Sequence, residues 1–212
     1  MSATPSIRFY ETDRPYGCFS NFARFPLRLD GAEWPTSEHA FQARKFTSSD
    51  DRERIRRAPT PFVAAEMGRD RSRTIRADWD AVRDDVMREV LAAKFNQHAS
   101  LRDVLLSTGE CHLIEHTTND RYWGDGGDGT GKNRLGELLM EVRAGLSPSP
   151  RSFILPPWVA YPAVEVSDLH WRMGGGETYL MNWSAWRSSL ADAAKREYNS
   201  YFPVPAEWAR SV

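Results

Sequence analysis

The chain has 212 residues, 41% of them hydrophobic and 27% charged, which is material for one good-sized core or one domain with an appendage. A formal net charge of −1 excludes a global basic field of the kind that drives unspecific nucleic-acid binding, though a local basic groove stays open. Two cysteines, Cys18 and Cys111, give no disulfide framework. With no leader-like start and no window of membrane-helix length, the expectation is a soluble, cytoplasmic chain.

From the N-terminus, Ile7 to Tyr10 reads as a short strand, followed by a turn at Pro15-Tyr-Gly17 and an alternating strand over Phe25 to Leu29. Asp30-Gly31 is a hairpin signal. Thr36, after Pro35, is a good N-cap for a helix over Ser37 to Phe46. Residues 50–70 predict two short helices broken at Pro59 and Pro61. The clearest helix runs from Trp79 to Phe95, with Trp79, Val82, Val86, Val90 and Leu91 on one face. A short helix over Ser100 to Ser107, a strand over Cys111 to His116 and a helix over Leu135 to Val142 complete this part.

Composition then shifts. Leu146-Ser-Pro-Ser-Pro150 and Leu155-Pro-Pro157 mark a boundary, dividing the chain into a domain over 1–146 and an extension over 147–212. The extension holds five of the eight tryptophans: Trp158, Trp171, Trp183, Trp186 and Trp208. Packing onto the main domain is their simplest use, and stacking on nucleic-acid bases is the alternative.

The densest motif lies between Tyr122 and Gly136, with five glycines between Gly124 and Gly131 and aspartates at Asp125 and Asp128. Inward-pointing amides at a helix N-terminus form a natural phosphate cradle. Two nucleotide motifs fail here. Gly126 to Lys132 spells a P-loop, but Asn133 stands where the magnesium-binding Ser or Thr belongs. Gly124, Gly126 and Gly129 spell a dinucleotide fingerprint, but no apolar strand precedes them.

In the helix after Thr36, Glu38, Gln42 and Lys45 share one face among the aromatics Trp34, Phe41 and Phe46. Such a stripe is either a solvated face or one wall of a pocket. His39 reads as a structural histidine. His112-Leu-Ile-Glu-His116 matches a zinc-protease pattern, yet Gly109 and Thr117-Thr-Asn119 confine it to a strand-like segment without a third ligand, so neither metal nor cofactor is expected. The basic residues are twenty-four arginines against four lysines, and Lys45, Lys94 and Lys132 sit beside these motifs. Only lysine can supply a neutral amine.

Together, Phe9-Tyr10, Pro15-Tyr-Gly17, Phe19-Ser-Asn-Phe22, Trp34-Pro-Thr-Ser-Glu-His39, Phe41-Gln42, Trp79, Arg83, Lys94-Phe95, Tyr122-Trp-Gly-Asp-Gly126 and Asn133 with Leu135-Gly136 resemble the NADAR, or YbiA-like, family in its own order over about residues 7–145. The resemblance implies an α+β, predominantly helical domain that hydrolyses N-glycosidic bonds of ribosyl compounds. Its substrates would be ADP-ribose on the guanine amino group of nucleic acid, placed there by a toxin's ADP-ribosyltransferase, or ribosylamino-pyrimidine phosphates of riboflavin biosynthesis. A module that only binds NAD or ADP-ribose is the competing reading. By position the family's functional residues correspond to Glu38, Trp79, Trp123 and Asp125. Catalysis is expected of Glu38 and Asp125, and also of Lys45 for its amine on the Glu38 face. Substrate contacts are expected of Asn21, Phe22, Trp34, Gln42, Trp79, Trp123, Gly124, Gly126 and Asn133.

Overall fold

The computed structural model describes residues 5–147 and 153–209. The expected strand at the start is β1, Ser6–Phe9. The hairpin forms where Asp30-Gly31 requires it: β2, Leu27–Leu29, pairs antiparallel with β3, Ala32–Trp34. Both turn residues take positive φ, 53° at Asp30 and 75° at Gly31, which matches the twist of a two-residue hairpin loop.

Thr36 caps α1, Ser37–Ala43, by accepting the backbone N–H of His39. The helix ends at Ala43, short of Phe46, which instead makes an isolated antiparallel bridge to Ile75. The prolines break the next stretch as expected into α2, Ser49–Arg56, and α3, Pro61–Arg69. Thr60 caps α3, and Pro61 occupies its first turn, where no intrahelical donor is lost. The long helix α4, Trp79–Gln97, and α5, Ala99–Ser107, follow. Then come β4, His112–Glu115, and α6, Arg134–Gly145.

The α+β, predominantly helical architecture is thus observed, with small sheets. β4 pairs in parallel with β1, Phe9 lying opposite Glu115. A parallel pair needs a crossover, and here that crossover contains the hairpin and five helices. α1 packs against α2, α3 and α4, while α6 lies on α4 and β4. Buried Phe9, Phe19, Phe95, Leu105, Leu113 and Leu139 form the main core, and Leu27, Ala40, Phe46, Ile55 and Val90 a second one.

The boundary segment is described only in part, since Pro148–Ser152 lie outside the described residues. Beyond it come α7, Pro157–Ala160, α8, Gly174–Ser189, and α9, Asp192–Tyr201. Trp158, Trp171, Trp183 and Trp208 are buried in the main core cluster. Phe202 meets Tyr16 edge-on at 5.9 Å, and Tyr201 meets Phe25 at 5.3 Å. Trp183 Nε1 donates to the Tyr198 hydroxyl at 2.8 Å. These tryptophans are committed to packing and are unavailable as base-stacking platforms. Among the described residues no helix is long and apolar enough to cross a membrane.

Candidate active site

A cavity of about 1030 Å³ opens between α1, α3, the start of α4 and the segment after β4. Its α1 wall is the stripe read from the sequence: Glu38, Gln42 and Lys45 all line it. Gln42 Nε2 donates to Glu38 Oε1 at 2.6 Å. Burial pushes the Glu38 carboxyl above its ordinary range, against the pull of Gln42, Lys45 and Arg69. Burial likewise lowers Lys45, with Glu38 opposing and Arg69 and Arg71 reinforcing the shift. Lys45 Nζ donates to the Gly68 carbonyl at 3.1 Å and lies 5.7 Å from the Trp79 ring centroid.

Asn21 and Phe22 reach the cavity from the turn before the hairpin. The Asn21 carbonyl accepts the backbone N–H of Glu38 at 3.1 Å, tying this turn to the first turn of α1. Asn21 Nδ2 meets Met87 Sδ at 3.1 Å, and its buried Oδ1 has no partner among the described residues. Trp79 and Trp123 line the same space and pack on Phe41, with centroids 5.1 and 5.3 Å away. Exposed Phe62, 71% accessible, pairs with Phe22 at 4.9 Å.

Five of the expected site residues stand elsewhere. Asp125 is not on the cavity wall. Its carboxylate accepts His116 Nδ1 at 2.8 Å and the N–H groups of Thr117 and Gly127, which together outweigh burial and hold it below the usual carboxylate range. Gly124 and Gly126 are also absent from the wall. The loop spends its amides on itself: Gly126 to Asp120, Gly131 to Asp125, Lys132 to Arg121 and Asn133 to Gly124, all donating to carbonyls. An amide already donating inward cannot hold a phosphate, so these four amides do not serve the cradle expected from the glycines. Asn133 instead extends β4, accepting the Glu115 N–H at 2.9 Å and donating to the Leu113 carbonyl at 2.8 Å. Trp34 lies in the second core, its Nε1 donating to the Leu29 carbonyl at 3.2 Å.

The NADAR domain matches residues 8–147. The chain belongs to the NADAR family. It is 59% identical over 141 residues to N-glycosidase YbiA of Escherichia coli, covering 66% of this chain and 88% of that protein. A riboflavin biosynthesis protein of Vibrio vulnificus is 41% identical over 140 residues, which span 66% of this chain and 38% of that protein. The NMR structure of E. coli YbiA aligns with a TM-score of 0.64 at 56% identity, covering 68% of this chain and 86% of that one.

Within the NADAR domain, two residues stand out that the sequence reading passed over. Glu115 and Asp120 line the cavity together with Glu38. Strand parity was the available signal: Glu115 shares the inward face of β4 with buried Leu113, a position where an apolar residue is the norm. The histidine motif distracted from it. Among the described residues no group of three or more His, Cys, Asp or Glu side chains is arranged to hold a metal. Lys94, expected only to sit beside a motif, is fully buried on α4, donating to the carbonyls of Cys18 and Ser20 at 2.6 and 3.0 Å. It clamps the turn that carries Asn21 and Phe22.

Proposed function

We propose that this NADAR-family N-glycosidase removes ADP-ribose from the guanine amino group of nucleic acid, undoing the work of an ADP-ribosyltransferase toxin. Its 59% identity to an enzyme named as an N-glycosidase supports the bond class. The observation that carries the finer reading is the size and charge layout of the cavity. At about 1030 Å³ it stands at the upper end of small-ligand sites, which run from about 300 to 1,000 Å³. Exposed Arg24 and Arg69 line it and, among the described residues, make no ion pair. They suit a diphosphate.

In this reading the ribose C1 lies beside Glu38, whose charged form, favoured by Gln42, Lys45 and Arg69 against burial, stabilises the oxocarbenium character that develops as the C–N bond breaks. Trp79, Trp123 and the Phe22–Phe62 pair provide flat faces for base and sugar. The unpartnered Asn21 Oδ1 is an acceptor for a ribose hydroxyl. Lys45, desolvated next to Glu38, can capture a ring-opened sugar as an imine. A second reading, hydrolysis of ribosylamino-pyrimidine phosphates, is favoured by the name of the Vibrio relative.

Purified protein incubated side by side with an ADP-ribosylated guanine oligonucleotide and with a ribosylamino-pyrimidine phosphate decides between them. Release of free ADP-ribose with restored guanine, read by mass spectrometry, is the expected result. Turnover of the pyrimidine phosphate alone would transfer the enzyme to the second reading. Tight ADP-ribose binding with no turnover of either would make the protein a binding module.

A further inference from the structure

We infer that Glu115 is the general acid of this site, donating the proton that the departing nitrogen requires. The inference rests on the N-glycosidase reading above and adds Glu115, which the sequence offers only inside the zinc-protease-like pattern and to which the family resemblance gives no role.

The geometry has three parts. First, Glu115 at the end of β4 lines the same cavity as Glu38 of α1 and Trp123, so two carboxyl-bearing residues from separate elements border one ligand space. Second, its backbone is held on three sides. β1 pairs with it through Phe9, its N–H donates to Asn133 Oδ1, and its carbonyl accepts the Asp125 N–H at 2.9 Å. Asp125 and Asn133 therefore act here as positioning residues. Third, the Glu115 carboxyl makes no ion pair among the described residues, and the charges that act most on it, from Asp120, Glu38 and Asp125, are all negative. His116, next in the chain, is engaged by Asp125, while Glu11 and Arg83 line the cavity more broadly.

Burial and these three carboxylates push the Glu115 carboxyl up to about 8, so it carries its proton at neutral pH. Glu38 lies in the same cavity but has Gln42, Lys45 and Arg69 to favour its charged form. Burial raises both carboxyls, but only Glu38 has neighbours that favour its charged form, so Glu115 is the one of the pair placed to act as the acid. The step then balances. The C1–N bond breaks, its electron pair stays on nitrogen, and nitrogen takes the Glu115 proton. Water adds to C1 and gives a proton to Glu38, which passes it to solvent, while Glu115 regains a proton from solvent.

The test measures kcat/KM against pH on an ADP-ribosylated guanine oligonucleotide for the wild type and Glu115→Gln. The wild-type rate should fall above about pH 8 as Glu115 ionises. Glu115→Gln should be slower by about a hundredfold or more and lack that alkaline limb, while still binding ADP-ribose. A variant within a few-fold of wild type, or one that keeps the limb, overturns the assignment. A second readout, independent of turnover, is the titration of glutamate side chains by carbon NMR on carboxyl-labelled protein. A resonance titrating near 8 that disappears in Glu115→Gln supports the acid, and an ordinary value for that resonance overturns it. If the wild type cleaves neither substrate, the proposed function fails by itself, and the titration still decides the state of Glu115.

Discussion

Glu38 and Gln42, one turn apart on α1, are joined by a hydrogen bond of 2.6 Å from the amide Nε2 to the carboxylate Oε1. The bond exists because Gly68 of α3 leaves room for it: a Cβ on Gly68 would stand 1.9 Å from Gln42 Oε1. A helix packed close on α1 thus fixes the amide that orients the carboxylate.

Glu38→Gln keeps this shape and removes the charge. Turnover should fall by about a hundredfold or more. The melting temperature should hold or rise, because a carboxyl raised by burial is relieved of its desolvation cost. Steady-state kinetics beside a thermal melt checks both, and near-normal turnover would remove Glu38 from the chemistry.

Gly68→Ala places a methyl group against Gln42. The amide must swing away, and kcat should drop by about tenfold, the size of one lost orienting hydrogen bond of about 1.4 kcal/mol. Gln42→Ala should cost a similar factor, and the double variant little more, since both act through one bond. Additive losses would show that Gly68 works by another route.

Lys45→Arg keeps a positive charge and cannot form an imine. If Lys45 captures the anomeric carbon, borohydride added during turnover should trap a protein–sugar adduct in the wild type and none in the variant. An active Lys45→Arg enzyme, with no adduct in either protein, would reduce Lys45 to an electrostatic partner of Glu38.

Asp125→Ala should act first on structure. It strips the Thr117 and Gly127 N–H groups of their acceptor, and an unsatisfied buried group costs about 1–3 kcal/mol. A lowered melting temperature, with faster hydrogen exchange in the segment from Thr117 to Gly131, is the expected signature. Unchanged stability with abolished turnover would return Asp125 to the chemistry.

Glu115 has a stability consequence as well as a catalytic one. Its carboxyl titrates near 4.5 when unfolded and at about 8 when folded, so the folded state alone holds the proton between those values. Its contribution is fully present below 4.5 and is lost as pH rises through 8. Glu115→Gln, which never ionises, should therefore be more stable than wild type at about pH 9 and similar to it at about pH 4. Melts at both values give the answer, and a constant difference across pH would contradict the raised carboxyl.

What the sequence determined by itself was local. Thr36, Pro61 and Asp30-Gly31 mark where elements start and turn, since capping and positive φ are decided within a few residues. The Glu38, Gln42 and Lys45 stripe was equally legible, because helix geometry alone puts those side chains on one side. The tertiary structure decided the rest. Glu115 reaches Glu38's cavity only because β4 crosses back to pair with β1, and nothing near Glu115 in the chain encodes that partner. Lys94 looked like a site neighbour and is a buried clamp, because the carbonyls that receive it lie on a distant turn. The glycine loop was ambiguous for a related reason. Its spacing suits amides aimed at a phosphate and amides aimed at the loop's own carbonyls equally well, and only the folded chain shows which acceptor each N–H found.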